Sequence, residues 1–344
     1  MRIAFVVGEL RTEQPHHTTV MLAYEAARRG HETWFIDVAD FTAGDGHRLD
    51  ALARRAPGSC ASEVEFLAAL LSEGRPPERV AAADLDVAML RHCPLEDTAL
   101  RPWVGMTALV IGRLLVEAGV LVINDPAGLE RVQSKAYLLD LPADIRPHML
   151  VTREPARVKD FAGQRGAIVV KPLQGRNGER VFVLRPETTA NVNQMLEVVA
   201  GDGYILAQDY VAAAAGGTTR LFMMNGELVS HSGQHAALRL RPRGDDIRSN
   251  FAAGGTVEPA LVDDACLRLA EGLRPWLLAN GLFLVAVDTA GDRVLEVNAF
   301  CFGALRGAQR MTGTRFTGVI IDGVERALAG GPRAAAGAAT TGPI

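Results

Sequence analysis

The sequence predicts an α/β protein that opens with an open-sheet N-terminal domain and continues into a second α/β unit carrying two separated β-hairpins. Three observations predict it. Residues 3–7 are a buried-strand run, residues 19–29 have helical periodicity that Gly30 can stop, and residues 33–38 are a second apolar run, which together make a βαβ opening. Strand runs at 85–90 and 120–123 then flank a segment of helical length, 99–118, before Asn124-Asp125-Pro126 marks a boundary. After that boundary, residues 167–182 and 283–298 each read as strand, glycine-bearing loop, strand.

Composition supports a large buried core. The 344 residues are 48% hydrophobic and 22% charged, which excludes a disordered or low-complexity chain. Net charge is −4 with both signs interspersed, so neither nucleic acid nor an anionic membrane is the expected partner; a small soluble molecule is. The first apolar run is too short for a signal peptide and no apolar span of membrane length follows, so the expected location is the cytoplasm. Cys60, Cys93, Cys266 and Cys301 are widely spaced and read as reduced thiols.

The elements follow in order. The turn after the first strand, Gly8-Glu9-Leu10-Arg11-Thr12-Glu13, lacks the G-x-G-x-x-G cradle and argues against a nicotinamide cofactor. Residues 41–80 are polar around one helical stretch, 62–72, and read as a surface excursion. Beyond the boundary come a helix over 129–139, a strand at 148–152 and a helix at 155–162. Next are the first hairpin, a helix over 189–200, and strands near 204–210, 220–224, 227–230 and 236–240. A helix at 261–278, the second hairpin and a last helix at 318–328 complete the chain, and the Ala/Gly tail, 331–344, is expected to be disordered.

Only three lysines, Lys135, Lys159 and Lys171, stand against thirty-three arginines, so each lysine merits inspection. Lys171 ends the strand of the first hairpin, and the loop Gln174-Gly175-Arg176-Asn177-Gly178 turns back behind it. Backbone N–H groups of such a loop can close over a polyphosphate while the lysine reaches its oxygens. The spacing is not that of a P-loop, and a surface hairpin with a solvated lysine is the plain alternative. In the second hairpin, Glu296 and Asn298 share a strand face by the two-residue period. Asp288 joins them if residues 290–292 form a three-residue loop, whereas a two-residue turn puts it on the other face. Two carboxylates and an amide gathered this way suit Mg²⁺; three exposed polar residues are the alternative.

With these motifs the chain resembles the ATP-grasp ligases, and within them the bacterial glutathione synthetases. The likeness runs in order through Met89-Leu90-Arg91-His92-Cys93-Pro94-Leu95-Glu96-Asp97, where the synthetases have Arg-Lys-Asp-Pro-Pro-Phe-Asp, then Val122 through Pro126, Lys135 and the lysine-glycine hairpin. It continues through Ala207-Gln208-Asp209-Tyr210, Arg220-Leu221-Phe222, Arg248-Ser249-Asn250-Phe251-Ala252-Ala253-Gly254-Gly255 and Asp288 to Asn298. The resemblance implies a pre-ATP-grasp domain over 1–124 and an ATP-grasp domain over 125–330 whose lid spans about 145–210. It also implies that Lys135, Lys171 and the loop 174–178 bind ATP phosphates, and that Gln208, Asp209 and Tyr210 receive the nucleoside, with Asp209 near the ribose. Arg220, Arg248 and Asn250 are implied as the catalytic residues facing the γ-phosphate and the reacting carboxylate. Asp288, Glu296 and Asn298 are implied to hold Mg²⁺, with Mn²⁺ as a possible substitute. The implied reaction is ADP-forming amide synthesis through an acyl phosphate, on amino-acid or short-peptide substrates such as γ-glutamylcysteine and glycine, by a homo-oligomer.

Three segments depart from the synthetase pattern, one of them the loop Gln174-Gly175-Arg176-Asn177-Gly178, where the family commonly has Gly-Gly near the end and where Asn still tolerates a left-handed backbone. Asn298-Ala299-Phe300-Cys301-Phe302-Gly303 replaces Asn-Val-Ser/Thr-Ser-Pro near the implied amine side, which puts glycine in doubt, and His92, Cys93 and Leu95 replace charged or proline positions. The altered acceptor segment motivates a second reading, a nucleotide-binding regulatory or assembly protein without turnover. Other candidates have plain accounts. His231 and His235 read as surface histidines and Cys301 as a packed thiol; His16-His17 read as loop, Lys159 as helix surface, and Arg239, Arg241 and Arg243 as an acid-binding or solvated run.

Overall fold

The computed structural model describes residues 1–94, 101–175, 178–187, 190–201, 203–244, 246–249 and 254–331, apart from the His47 side chain. The 332–344 tail, Arg176, Asn177 and Asn250 lie outside the described residues.

The first sheet contains β1 (Arg2–Val7), β2 (Glu32–Asp37), β3 (Phe41–Gly44), β4 (Arg48–Arg55), β5 (Glu78–Ala81), β6 (Val87–Leu90) and β7 (Leu121–Ile123). Its order is β3-β4-β2-β1-β6-β7, with β5 beside β4. The strands β2, β1, β6 and β7 are mutually parallel. Parallel strands covered on both faces read as continuous apolar runs, and β1 shows why. Its Ile3, Phe5 and Val7 pack with Leu22 of α1 (Thr18–Arg28) and Phe66 of α2 (Glu63–Leu70), whereas Ala4 and Val6 pack with Leu109 and Leu115 of α3 (Trp103–Glu117).

The segment 41–80 is no excursion. Three of its stretches, β3, β4 and β5, extend the sheet, and Leu49, Ala51 and Ala53 enter the core while Arg48 and Leu52 face outward. Small alternating alanines between charged residues conceal the two-residue period. The predicted helix over 129–139 is also corrected. It divides into α4 (Pro126–Arg131) and a 3₁₀ turn, Lys135–Asp140, and the Ser134 hydroxyl accepts from the Ala136 N–H at 3.3 Å to start the new turn.

The second sheet is antiparallel throughout, with β8 (Met149–Thr152), β9 (Ile168–Pro172), β10 (Phe182–Leu184) and β11 (Ile205–Asp209) in the order β10-β9-β11-β8. The helices α5 (Pro155–Arg165) and α6 (Val192–Ala200) cover one face through Val158, Leu196 and Val199, which pack on Ile168, Val170, Ile205 and Ala207. The alternation therefore leaves Lys171 and Gln208 on the opposite face.

The third sheet holds β12 (Thr218–Met224), β13 (Glu227–Leu228), β16 (Ala237–Arg241), β17 (Thr256–Pro259), β18 (Leu284–Ala290) and β19 (Arg293–Asn298). Its order is β17-β16-β12-β18-β19, with β13 on β12 and a separate small hairpin of β14 (Ser230–His231) and β15 (Gln234–His235). One face packs on α7 (Asp264–Ala279) through Leu273 and Leu277, and the other on α8 (Leu305–Thr312) and α9 (Phe316–Ala329) through Leu305 and Ile320. The strand β17 and the helix α8 carry no signal read from the sequence. Both cores run from the first sheet into the third, so these two sheets form one continuous body. Among the described residues, no helix is long and apolar enough to cross a membrane.

Close packing where α4 meets the chain entering β18 predicts opposite outcomes for one chemical change at two glycines. A Cβ at Gly128 would collide with the Asn280 carbonyl oxygen, whereas one at Gly163, on the open side of α5, meets nothing within 4 Å. Gly128→Ala is expected to lower stability by about 1–3 kcal/mol, and Gly163→Ala to raise it by about 0.5–1 kcal/mol, both read from denaturant melts.

Candidate active site

The site is built on the hairpin of β18 and β19. Ala290 pairs with Arg293, so the connection is the two-residue turn Gly291-Asp292, with Gly291 at φ +55°, and not the three-residue loop that would align the ligands. Such a turn alone would put Asp288 opposite Leu295. A β-bulge restores the parity: Thr289 pairs with Val294, yet Asp288 pairs with Glu296, which makes Leu295 the extra residue. Asp288, Glu296 and Asn298 therefore share one face, and the Asn298 amide lies 3.3 Å from Asp288 Oδ2.

Arg220, on β12, pairs directly across from Asp288 in the sheet. Its guanidinium grips that carboxylate in a two-pronged fork, Nε to Oδ1 at 2.7 Å and Nη2 to Oδ2 at 2.8 Å. Lys135 reaches in from the 3₁₀ turn. Its ammonium lies 2.9 Å from Glu296 Oε1 and donates to the Gly175 carbonyl at 2.7 Å, while its backbone N–H donates to the Leu173 carbonyl at 2.9 Å. One residue thus ties the carboxylate hairpin to the glycine loop of the second sheet. Burial raises the Glu296 carboxyl, but Lys135, Lys171 and Arg220 together hold it below its ordinary value and keep it ionised.

Lys171 is the unbalanced charge. It is 8% exposed and has no hydrogen-bond or ion-pair partner among the described residues. Burial brings its ammonium down to about 8; Glu296 opposes that shift and Lys135 adds to it. On the same face of the second sheet, the Gln208 side-chain oxygen is buried without a partner among the described residues. Three cations therefore meet two carboxylates, and an unpaired cation beside an unpaired acceptor describes a site shaped for an anion carrying a polar group.

Other predicted positions fall elsewhere. Asp209 lies opposite Ile168, on the helix-covered face, where Arg165 of α5 binds both its oxygens at 2.9 and 2.7 Å. Tyr210 lies under the Arg185 guanidinium at 5.4 Å. Asp246 holds Arg248 through Nε and Nη2. Gly178 takes a left-handed φ of +68° where the loop turns back, two residues before Arg180. Gln174, beside Gly175, is exposed. Lys159 donates to Asn193 at 2.6 Å on the exposed side of α5, and Arg239 and Arg241 bind the Gly216 carbonyl, with Arg241 also on Glu258. His235 contacts the Ser230 hydroxyl in the small exposed hairpin, and His17 contacts Glu13.

Three residues read only as motif positions prove to be buried supports. The Asn124 side chain donates to the Leu284 and Ala299 carbonyls at 2.9 and 2.7 Å and accepts from the Leu284 N–H at 2.7 Å, spanning both ends of the hairpin. The Arg91 guanidinium donates to the Phe300 carbonyl at 2.6 Å and lies 4.8 Å above the Phe302 ring. His92 is wholly buried, edge-on to Phe300 at 5.3 Å, and burial followed by Arg91 pushes it down to about 3, so it is neutral. Two of the departures from the synthetase pattern therefore pack against each other.

Among the described residues, no group of three His, Cys, Asp or Glu side chains converges. A divalent ion here would take two carboxylates and the Asn298 amide oxygen, and complete its shell with water or phosphate oxygens. That all-oxygen, incomplete set fits Mg²⁺.

An antiparallel four-stranded sheet meeting a second antiparallel sheet across such a charge cluster defines an ATP-grasp ligase. The fold matches the ATP-grasp ligase PsnB complexed with minimal precursor (TM-score 0.62, 18% identity, 95% of this chain and 98% of that one). It also matches the D-cycloserine synthetase DcsG (TM-score 0.61, 16% identity, 95% and 99%). Residues 1–130 match the N-terminal domain of prokaryotic glutathione synthetase, and residues 134–313 match its ATP-grasp domain. The glutathione synthetase of Salmonella typhimurium is 31% identical over 314 residues, 91% of this chain and 94% of that protein. That of Thermosynechococcus vestitus is 29% identical over 325 residues, 92% and 96%. The chain belongs to the prokaryotic glutathione synthetase family. It is an ADP-forming ligase that joins a carboxylate to an amine, in a family that uses ATP with Mg²⁺.

Two outcomes follow from the charges. Lys171 must be protonated to hold a phosphate, so ADP affinity is expected to fall about tenfold from pH 7 to pH 9 as the lysine titrates near 8, and Lys171→Gln to bind weakly with a flat profile by calorimetry. Removing Asp288 strands the buried Arg220 guanidinium, so Asp288→Ala is expected to cost about 3–5 kcal/mol in a chemical melt.

Proposed function

We propose that this ligase binds ATP between the second sheet and the β18–β19 hairpin, phosphorylates the carboxylate of an amino acid or short peptide, and then joins the acyl group to an amine. The observation that carries the reading is the buried, unpaired Lys171 beside paired Arg220–Asp288 and Lys135–Glu296, a surplus positive charge suited to a polyphosphate.

In this reading Lys171 and Lys135 neutralise the phosphate oxygens, the glycine loop covers them, and Gln208 offers its free oxygen to the base. Asp288, Glu296 and Asn298 hold Mg²⁺, which supplies charge neutralisation as the phosphoryl group moves. Arg220 orients Asp288 through its two-pronged fork, and Arg248 is the cation assigned to the acyl phosphate. The amine then displaces phosphate, leaving ADP, phosphate and the amide. Such chemistry needs alignment and a cationic surround more than an acid–base pair.

On the acid side, likeness to glutathione synthetases supports γ-glutamylcysteine or a related peptide. On the amine side, Phe300 and Phe302 stand where the synthetases carry hydroxyls and a proline, which supports an acceptor other than glycine. Residues 1–124 serve as the substrate-side domain and about 145–210 as the lid.

A screen of ADP release over amine acceptors, with γ-glutamylcysteine among the acids, tests the proposal. Sustained ADP release is expected only when acid and amine are both present, and hydroxylamine, taking the place of the amine, is expected to convert the acyl phosphate formed from acid and ATP into a hydroxamate with one ADP and one phosphate released per turnover. Tight ATP binding with no trapped acyl group and no ADP from any pair would replace it with a non-catalytic nucleotide-binding role, the reading the altered acceptor segment otherwise favours. Arg248→Gln is expected to slow turnover by about 10²- to 10³-fold, as loss of a transition-state charge does; a near-normal rate removes Arg248 from the chemistry.

A further inference from the structure

β19 is the last strand of its sheet, so among the described residues its outer backbone edge has no neighbouring strand. At Val297, between Glu296 and Asn298, a single phenol fills that edge. The Tyr137 hydroxyl accepts from the Val297 N–H at 2.6 Å and donates to the Val297 carbonyl at 3.0 Å. Both groups of one residue are thereby satisfied by one oxygen, which does what an adjacent strand would do. Tyr137 is 4% exposed, and its ring stacks on Trp276 of α7 at 5.7 Å and 30°. Its freedom to shift along β19 is therefore small.

The same 3₁₀ turn carries Lys135, two residues earlier, which binds Glu296 and the Gly175 carbonyl. Farther along the edge, the Val294 N–H donates to the Ile145 carbonyl at 2.7 Å. The bulge at Leu295 lies between these two edge contacts, and a bulged edge strand is where register is least secured by the sheet itself. Something outside the sheet must hold the alignment of Glu296 with Asn298.

We infer that Tyr137 is a positioning residue for the divalent metal, holding the backbone between Glu296 and Asn298 so that both side chains stay on the Asp288 face; this rests on the nucleotide reading above. Burial holds the phenol well above its ordinary value, so the hydroxyl keeps its proton and donates throughout the working pH range. Outer-shell partners of metal ligands commonly change metal affinity by about 10- to 100-fold when removed.

The experiment titrates MgCl₂ into the full chain with ADP present, and separately measures ADP binding in EDTA. Tyr137→Phe is expected to raise the Mg²⁺ concentration for half-saturation on the order of 10-fold, leave ADP affinity in EDTA unchanged, and speed amide exchange at Val297 without affecting β1. Trp276→Phe trims the packing but keeps both the hydroxyl and an aromatic ring for Tyr137 to stack on, so it is expected to leave the Mg²⁺ requirement as in the wild type. Measuring both variants below their melting temperatures separates metal effects from stability. Tyr137→Phe with a wild-type Mg²⁺ requirement overturns the inference, and so does an equal rise in both variants, which would make the role one of packing. A wild-type chain that binds no ADP overturns the nucleotide reading itself, and one whose ADP binding ignores Mg²⁺ overturns the metal site, results distinct from either of these.

Discussion

Charge compensation in a partly dehydrated junction is the constraint on which this structure depends. Lys135, Lys171 and Arg220 meet Asp288 and Glu296 where three different chain segments converge, and each ion leaves water at a cost that only a counter-charge offsets. Arg220–Asp288 and Lys135–Glu296 are internally matched. Lys171 is not, so the junction is complete only with an anion present. The second sheet supplies the surplus lysine, the 3₁₀ turn supplies the lysine that reaches both sides, and the third sheet supplies the acids.

Rigid support for that junction comes from polar side chains in the preceding part of the chain. Asn124 closes on Leu284 and Ala299, and Arg91 holds Phe300, so the hairpin is fixed by the first sheet as well as by its own strand partners. A buried amide satisfied at both ends specifies one docking geometry, because any slip leaves a buried donor or acceptor unpaired. The same interface carries the changes that set this chain apart. Neutral, buried His92 meets Phe300, and Phe302 lies between Arg91 and Phe222. These substitutions act as one packed unit and make this interface less charged and more aromatic.

Several sequence readings fail or succeed for identifiable reasons. The shared face of Asp288, Glu296 and Asn298 was legible as one of two registers, but the bulge at Leu295 that produces it was not, since a two-residue turn and a bulge together mimic the parity of a three-residue loop. β4 was missed because Ala51 and Ala53 bury little surface individually and sit among arginines. The 3₁₀ break before Lys135 depends on one serine hydroxyl, a signal too local for periodicity to report. Adjacent residues Gln208 and Asp209 read as one binding segment, yet alternate strand positions send them to opposite faces, and Arg165 takes the carboxylate.

What the amino-acid order determined by itself is local and chemical: the βαβ opening, the two glycine-bearing hairpins, the scarcity of lysine, and the motif succession that marks the family. Hydrophobic period and residue type suffice for these because they act over a few neighbouring positions. Tertiary structure alone decided which charges cancel, that Lys171 is left over, and that Tyr137 and Asn124 hold the hairpin from distant segments. Burial and pairing between residues about 160 positions apart are properties of the packed chain, and no pattern along the sequence encodes how much water a side chain loses.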